Sequence, residues 1–324
     1  MDEIKLVVIV GPTSVGKTAL SIDLAKRFDG EVISADSRQI YCYMDIGTAK
    51  ATPEQRAAVP HHLIDVVDPD QKLTLAHYKR LASHAIHDIW ERGGLPMLVG
   101  GTGLYVRALL EGWTIPEVPP NRELRRRLKE RVERVGAEVL HERLQEVDPG
   151  AAESIDANNV RRVIRALEVY EETGTPISEL QKKKLPNYDT FKIGLTMPRP
   201  DLYERIDARV DRMIEEGLVE EVEYLLERGY DLDLPSMSAV GYPEIGRYLR
   251  DEATLDEAVS AIKTRTHRIV RQQYNWFKLS DPTIHWFDAR EVPTETIAEK
   301  VRDWLTRENE PVQLDHTRDC LDRG

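Results

Sequence analysis

Short runs of β-branched residues alternate along this chain with segments whose apolar positions recur at helical spacing. Strand patterns fall at "KLVVIVG" (5–11), "GEVISAD" (30–36), "HHLIDVVD" (61–68), "LPMLVGG" (95–101), "FKIGLTM" (191–197) and "TIHWFDA" (283–289). Residues 18–28 and 75–92 carry the helical period between them. Strands alternating with helices need crossover connections, so the pattern predicts an α/β fold, and "GPTSVGKT" (11–18) after the first strand makes it P-loop NTPase-like. Its sheet is mostly parallel and flanked by helices. The alternation stops after residue 112. From 116 to 185 only helical patterns occur, introduced by the proline-rich "IPEVPPN" and punctuated by Asn121 as an N-cap and by Gly136 and Gly174 as stops. These patterns predict a discontinuous catalytic core over 1–115 and 188–306, an inserted all-helical domain over 116–187, and a polar tail over 307–324. Within the second half of the core, 200–229 reads as a helix pair and 258–277 as one long helix.

Composition narrows the setting. A chain of 324 residues with 41% hydrophobic content has enough apolar side chains for one large or two modest domains. Two distant cysteines, Cys42 and Cys320, form no zinc spacing and suit a reduced, cytoplasmic compartment. No run approaches the ~20 apolar residues of a membrane span, so no membrane partner is expected. The net charge of −12 argues against a nucleic-acid partner. Its distribution qualifies that reading, because basic residues concentrate at 121–134, 160–165, 181–184 and 263–273. Any one cluster reads equally as a solvated helix face; together they allow a local basic groove.

The chemistry begins at "GPTSVGKT", residues Gly11, Pro12, Thr13, Ser14, Val15, Gly16, Lys17 and Thr18. Between a strand and a helix this is a P-loop: the glycines let successive N–H groups turn inward, and the helix N-terminus adds positive potential. Lys17 can neutralise phosphate oxygens, and the Thr18 hydroxyl can be offered to Mg²⁺. The motif specifies a diphosphate, not ATP. Two features count against ATP hydrolysis: the strand at 95–101 ends in glycines and Thr102 where many P-loop enzymes place a magnesium-binding aspartate, and there is no arginine-rich lid. Asp36 ends the second strand at the same sheet edge. It can serve as a general base, as a helix cap (with Ser37 equally able) or behind a metal ligand. Thr102 can equally be a turn residue or an N-cap. Arg205 and Arg209, four apart, share a helix face and can pair on the surface or reach a diphosphate. The nine histidines have no metal-ligand spacing, and His61–His62 reads as structural.

Read together and in order, "GPTSVGKT", "ISADSRQIYCYMDIGTAK", "PHHLIDVVDP", "VGGTGLYVRALLEG", "RALEVYEETG" and "SAVGY" resemble the tRNA dimethylallyltransferases, or tRNA isopentenyltransferases, of bacterial type. The resemblance implies transfer of a dimethylallyl group from dimethylallyl diphosphate to N6 of adenine 37 in the tRNA anticodon loop, with release of pyrophosphate. It implies Mg²⁺ at Thr18, pyrophosphate held by Lys17 and Arg209, Asp36 as base, and Thr102 beside the reacting centre. Asp36, Ser37, Arg38, Gln39, Thr102, Arg125, Arg161, Arg162, Arg165, Ser238, Val240, Gly241 and Tyr242 match its tRNA-contacting positions. The insertion would then grip the anticodon arm, and one chain could act as a monomer. One departure stands out: Arg271-Gln272-Gln273 replaces the K-R-Q run often found on the last long helix. The eukaryotic members' zinc finger has no counterpart. Three other readings share parts of the pattern: an adenylate isopentenyltransferase acting on AMP, ADP or ATP, a P-loop small-molecule kinase, and an RNA-binding P-loop protein without transferase chemistry. The basic helical insertion favours tRNA over a mononucleotide.

Overall fold

The computed structural model describes residues 3–307, so all but the first residue of the expected polar tail lies outside the described residues. Six strands, β1 (Ile4–Val10), β2 (Gly30–Ser34), β3 (His61–His62), β4 (Leu95–Gly100), β5 (Tyr188–Thr196) and β6 (His285–Asp288), form one sheet in the order β3-β2-β4-β1-β5-β6. Every pairing is parallel. Parallel strands are covered on both faces, which is why β1 is apolar almost throughout rather than alternating. Leu6 and Val8 face a layer with Ile86 and Ile89. Val7 and Ile9 face the opposite layer, with Leu24 and Leu202.

The helices of the first half are α1 (Lys17–Phe28), α2 (Pro53–Ala58), α3 (Leu75–Glu91) and α4 (Gly103–Leu110). Then come α5 (Arg122–Val135), α6 (Glu138–Val147), α7 (Pro149–Ser154), α8 (Val160–Thr173) and α9 (Ile177–Leu180), which close around a separate apolar cluster of Leu124, Leu128, Leu144, Val163 and Leu167. Asn121 caps α5 as its position suggests, accepting from Leu124 N at 3.0 Å. The chain returns to the sheet through β5 and continues as α10 (Arg199–Glu215), α11 (Leu218–Glu227), α12 (Tyr242–Leu249), α13 (Leu255–Trp276) and α14 (Thr294–Thr306).

Four local features depart from the sequence pattern. The apolar run at 61–68 yields only a two-residue strand, because Leu63 and Asp65 adopt left-handed backbone (φ 62° and 56°). The rest of that run lies along the loop after β2, with Val66 N donating to Ile40 O at 2.8 Å and Cys42 N to Val67 O at 2.9 Å. Asp65 there accepts from both Lys50 (2.5 Å) and Arg56 (2.6 Å). β5 starts at Tyr188 rather than 191, since Tyr188–Thr190 pair in register with Ile4–Leu6 despite their polarity. α13 starts at Leu255, where Thr254 and Glu257 form a capping box. α2, not expected from the pattern, is started by the same device at Thr52 and Gln55 with Pro53 in its first turn.

Glu168 organises the helical insertion. Its side chain has no solvent exposure, and it accepts from Arg125 (2.7 Å, twice), Arg165 (2.6 Å) and the Asn121 amide (2.8 Å). Burial alone would raise its pKa; the two guanidiniums and the amide together hold it below the usual carboxylate range. A carboxylate depressed in the fold stabilises it above the unfolded pKa of ~4.3, and that contribution is lost as pH falls through the lower folded value. Glu168→Gln should therefore cost roughly 2–3 kcal/mol at pH 7, less than a fully buried pair because both arginines remain about a third exposed. Hydrogen exchange should show faster opening of α5 and α8 in the variant, with β1 and β4 unaffected and the difference vanishing in acid.

Candidate active site

The P-loop follows β1 directly. Gly11 has φ 142° and sits where a Cβ would lie 2.4 Å from the Leu195 carbonyl oxygen on β5, so no larger residue fits without moving that strand. Ser14 takes left-handed backbone (φ 64°), a strained position for a non-glycine residue, and Gly16 (φ 108°) leads into α1. The Lys17 ammonium folds over the loop, donating to Gly11 O (3.0 Å) and Pro12 O (2.6 Å). Burial at the base of the cleft lowers its pKa to about 8; Asp36 works against that shift and Arg209 adds to it. Thr18 is exposed in the first turn of α1, and its hydroxyl has no hydrogen-bond partner among the described residues.

Asp36 and Thr102 meet across the ends of β2 and β4. Asp36 Oδ1 accepts from Arg38 N at 2.8 Å, closing a tight turn instead of capping a helix, and its second oxygen is unpartnered among the described residues. Thr102 occupies the N-cap position of α4 but caps nothing. Its Oγ1 accepts from Ser37 N at 3.0 Å and so fixes the turn that carries Asp36. Arg209 reaches in from α10, half-buried, 3.4 Å from Ser14 Oγ and 3.5 Å from Thr13 Oγ1. Burial lowers its pKa, and Asp36 opposes the shift.

Two cavities, of about 360 and 840 Å³, share Thr13, Ser14, Asp36 and Arg209 in their walls. The larger is also lined by Lys17, Thr18, Arg205 and Arg212. The smaller is walled by Thr102, Val240, Gln272, Gln273 and Trp276. The chamber that holds Lys17, Arg205 and Arg212 thus adjoins, across Asp36 and Arg209, a smaller one whose further walls include Leu104, Val240, Ile269 and Trp276.

The remaining sequence candidates divide. Arg38 lies at the cleft with its guanidinium committed to Pro235 O (2.8 Å) and Ser238 Oγ (3.1 Å). Gln39 accepts from Ser34 Oγ (3.0 Å) and donates to Ala49 O (3.2 Å). Ser238 is exposed and Val240 half-exposed at the rim, while Gly241 is buried. Tyr242 is corrected: it has no exposure and its hydroxyl donates to Glu221 Oε1 at 2.7 Å, so it packs the site from behind. Arg125 and Arg165 both pair with Glu168, each keeping about a third of its side chain exposed. Arg161 and Arg162 are exposed at the start of α8 and form no ion pair among the described residues.

Two residues escaped the sequence reading. Glu221 accepts from three successive amides, Asp45 N (2.8 Å), Ile46 N (2.7 Å) and Gly47 N (3.0 Å), and so holds the loop lining both cavities. Gln273 accepts from Thr13 N at 2.9 Å and donates to Gly101 O at 3.3 Å. The capping-box spacing before α13 was visible, but a glutamine's reach to a loop 260 residues away has no local signal. Among the described residues no group of three or more His, Cys, Asp and Glu side chains is placed to hold a metal, and no helix is long and apolar enough to cross a membrane.

A family model described as IPP transferase matches residues 39–280, and one described as isopentenyl transferase matches 4–59. A tRNA dimethylallyltransferase of Roseiflexus sp. (strain RS-1) is 58% identical over 275 residues, spanning 85% of this chain and 90% of that protein. Its counterpart in Herpetosiphon aurantiacus is 49% identical over 311 residues, 96% of this chain and 98% of that one. Among solved structures, the full-length tRNA isopentenylpyrophosphate transferase of Bacillus halodurans superposes with TM-score 0.68 at 44% identity, covering 94% of this chain and 96% of that one. A eukaryotic dimethylallyltransferase acting on tRNA superposes with TM-score 0.76 at 30% identity, covering 96% and 81% respectively.

The Lys17 shift sets a pH dependence. The amine is charged below about 8 and neutral above it, so affinity for inorganic pyrophosphate should fall by up to about tenfold per pH unit beyond that point. Calorimetric titrations from pH 7 to 9.5, taken as the ratio of wild type to Lys17→Arg to cancel the ligand's own ionisation, should show the inflection.

Proposed function

The chain belongs to the tRNA dimethylallyltransferase family, and from that premise we propose how its residues divide the work. It is a prenyltransferase that modifies tRNA. The donor is dimethylallyl diphosphate, its diphosphate seated on the P-loop amides and the first turn of α1 between Lys17 and Arg209. The acceptor is N6 of adenine 37, whose base leaves the anticodon loop and enters the smaller cavity. One observation carries this reading: the two cavities share Asp36 and Arg209, with Lys17, Arg205 and Arg212 in the larger one and Thr102, Gln273 and Trp276 in the smaller.

The exocyclic amine of adenine is a poor nucleophile, its lone pair delocalised into the ring. The unpartnered oxygen of Asp36 accepts the N6 hydrogen bond and takes the proton as N6 bonds to C1 of the allyl group. The C1–O bond breaks with its electrons leaving on pyrophosphate, and Lys17 and Arg209 hold the charge that develops there. Thr102 acts by fixing the Asp36 turn through Ser37 N. Thr18 suits Mg²⁺: its hydroxyl is free and faces the diphosphate chamber, and hydroxyl plus phosphate oxygens make a hard donor set. With no carboxylate cage, the substrate itself would supply most ligands. Bound there, Mg²⁺ would neutralise diphosphate charge. Arg161 and Arg162 on the insertion face the anticodon arm, and a monomer working in the cytoplasm suffices. Neither a kinase nor an adenylate prenyltransferase needs this exposed basic helix, and β4 ends in Gly100 and Gly101 where a kinase would place its magnesium carboxylate.

Three outcomes test this. Incubated with dimethylallyl diphosphate, Mg²⁺ and unmodified tRNA bearing A36-A37-A38, the protein should prenylate the tRNA and leave AMP and ATP untouched; transfer to AMP alone would overturn the acceptor. Asp36→Ala should lower turnover by at least about 10³-fold with tRNA binding retained. Arg161→Ala with Arg162→Ala should weaken tRNA binding and reduce the slope of log K against log salt by up to about 2, read by filter binding.

A further inference from the structure

We infer that Gln273 is a positioning residue that sets the diphosphate cradle from the wall of the base-binding chamber. The residue lies on the last turns of α13, which pack against the end of β5, the loop after β4 and the start of α4. Tyr274 Oη is 2.9 Å from Thr196 Oγ1 at the end of β5. Trp276 fills the space over Gly103, where a Cβ would lie 2.3 Å from its ring. Between them the Gln273 amide spans two loops. Its carbonyl accepts from the Thr13 amide at 2.9 Å and its NH₂ donates to Gly101 O at 3.3 Å.

The Thr13 contact is chemically specific. A P-loop works by turning successive backbone amides toward an anion. Here one amide at the start of the loop is already taken by a side-chain carbonyl from α13, in the half-buried cleft. The loop's shape, including the left-handed Ser14 that follows, is therefore fixed by a residue that also lines the smaller cavity. The fit at the other end is equally tight: a Cβ on Gly101 would lie 2.2 Å from Gln273 Nε2, so any side chain there displaces the bridge. A side-chain amide offers an acceptor to Thr13 N and a donor to Gly101 O at once, which an ionised carboxylate does not. Helix α13 consequently connects the chamber that receives the base with the loop that receives the diphosphate.

The inference rests on the diphosphate occupying the P-loop, and the test separates the two. Wild-type protein is titrated with inorganic pyrophosphate and Mg²⁺; absence of binding there would refute the occupancy itself. Given binding, Gln273→Ala should weaken it on the order of tenfold and raise KM for dimethylallyl diphosphate by a similar factor, with KM for tRNA within about twofold. Gly101→Ala should reproduce the defect, and the double variant should be no worse than either single one. Gln273→Glu supplies a readout that packing alone would not move. Ionised, it offers no donor to Gly101 O; protonated, it regains one, so its activity relative to wild type should recover as pH is lowered. Unchanged pyrophosphate affinity in Gln273→Ala, equal losses for both substrates, or a pH-independent Gln273→Glu defect would each overturn the assignment.

Discussion

Two cations and one carboxylate share a half-dry cleft at the carboxyl edge of the sheet, and the rest of the site is arranged around that imbalance. Burial draws the pKa of both Lys17 and Arg209 downward; Asp36 opposes the shift at both, and Glu216 adds to that opposition at Arg209. The cations lining the larger cavity outnumber its carboxylates, so positive charge is left over in a medium of reduced dielectric. The surplus is what a diphosphate would complete, and it is held in place before any ligand arrives. Such fixed charge needs no rearrangement when a leaving group takes on electrons, which is the condition for strong electrostatic stabilisation of a transition state.

Keeping the imbalance in place falls to hydrogen bonds from distant parts of the chain. Thr102 secures the Asp36 turn from β4, and Glu221 gathers three amides of the loop after β2 while bonding to Tyr242. Arg38 ties that same neighbourhood to Ser238. The stretches "MDIGTAK" and "SAVGY", nearly two hundred residues apart, are thus two sides of one contact. Their residues serve the chemistry mostly through shape, which is why Tyr242 is sealed in the interior.

The sheet and its P-loop were legible because both are local. An apolar run followed by a glycine-framed lysine states its strand, turn and helix within a dozen residues, and Asn121 and Gly136 bracket α5 in the same way. Asp36 and Thr102 could be placed at the sheet edge because strand ends are local too. What the sequence did not disclose is which partner each polar side chain finds. Leu63 and Asp65 interrupt an apolar run because Asp65 is drawn to Lys50 and Arg56, not because of anything in the run itself. Arg125 and Arg165 share the buried Glu168, a pairing that the basic clusters alone do not announce. Gln273 stands in a run that departs from a basic motif, and nothing in that run announces its bridge to Thr13.

The place of β1 in the sheet has a consequence for the order in which the protein is built. It is the first strand made, yet its neighbour β5 follows the entire helical insertion. About 180 residues separate them, which at ~5–20 residues per second is roughly 10–40 s of synthesis. For that interval the strand bearing the P-loop is paired on at most one side, and the loop lacks the Leu195 carbonyl that packs against Gly11. The insertion, with a core of its own and contacts that are close in sequence, has all its residues in that time. On the ribosome the helical insertion can therefore fold before the sheet is complete, and the nascent chain passes through a stage with an open sheet edge at its most apolar strand.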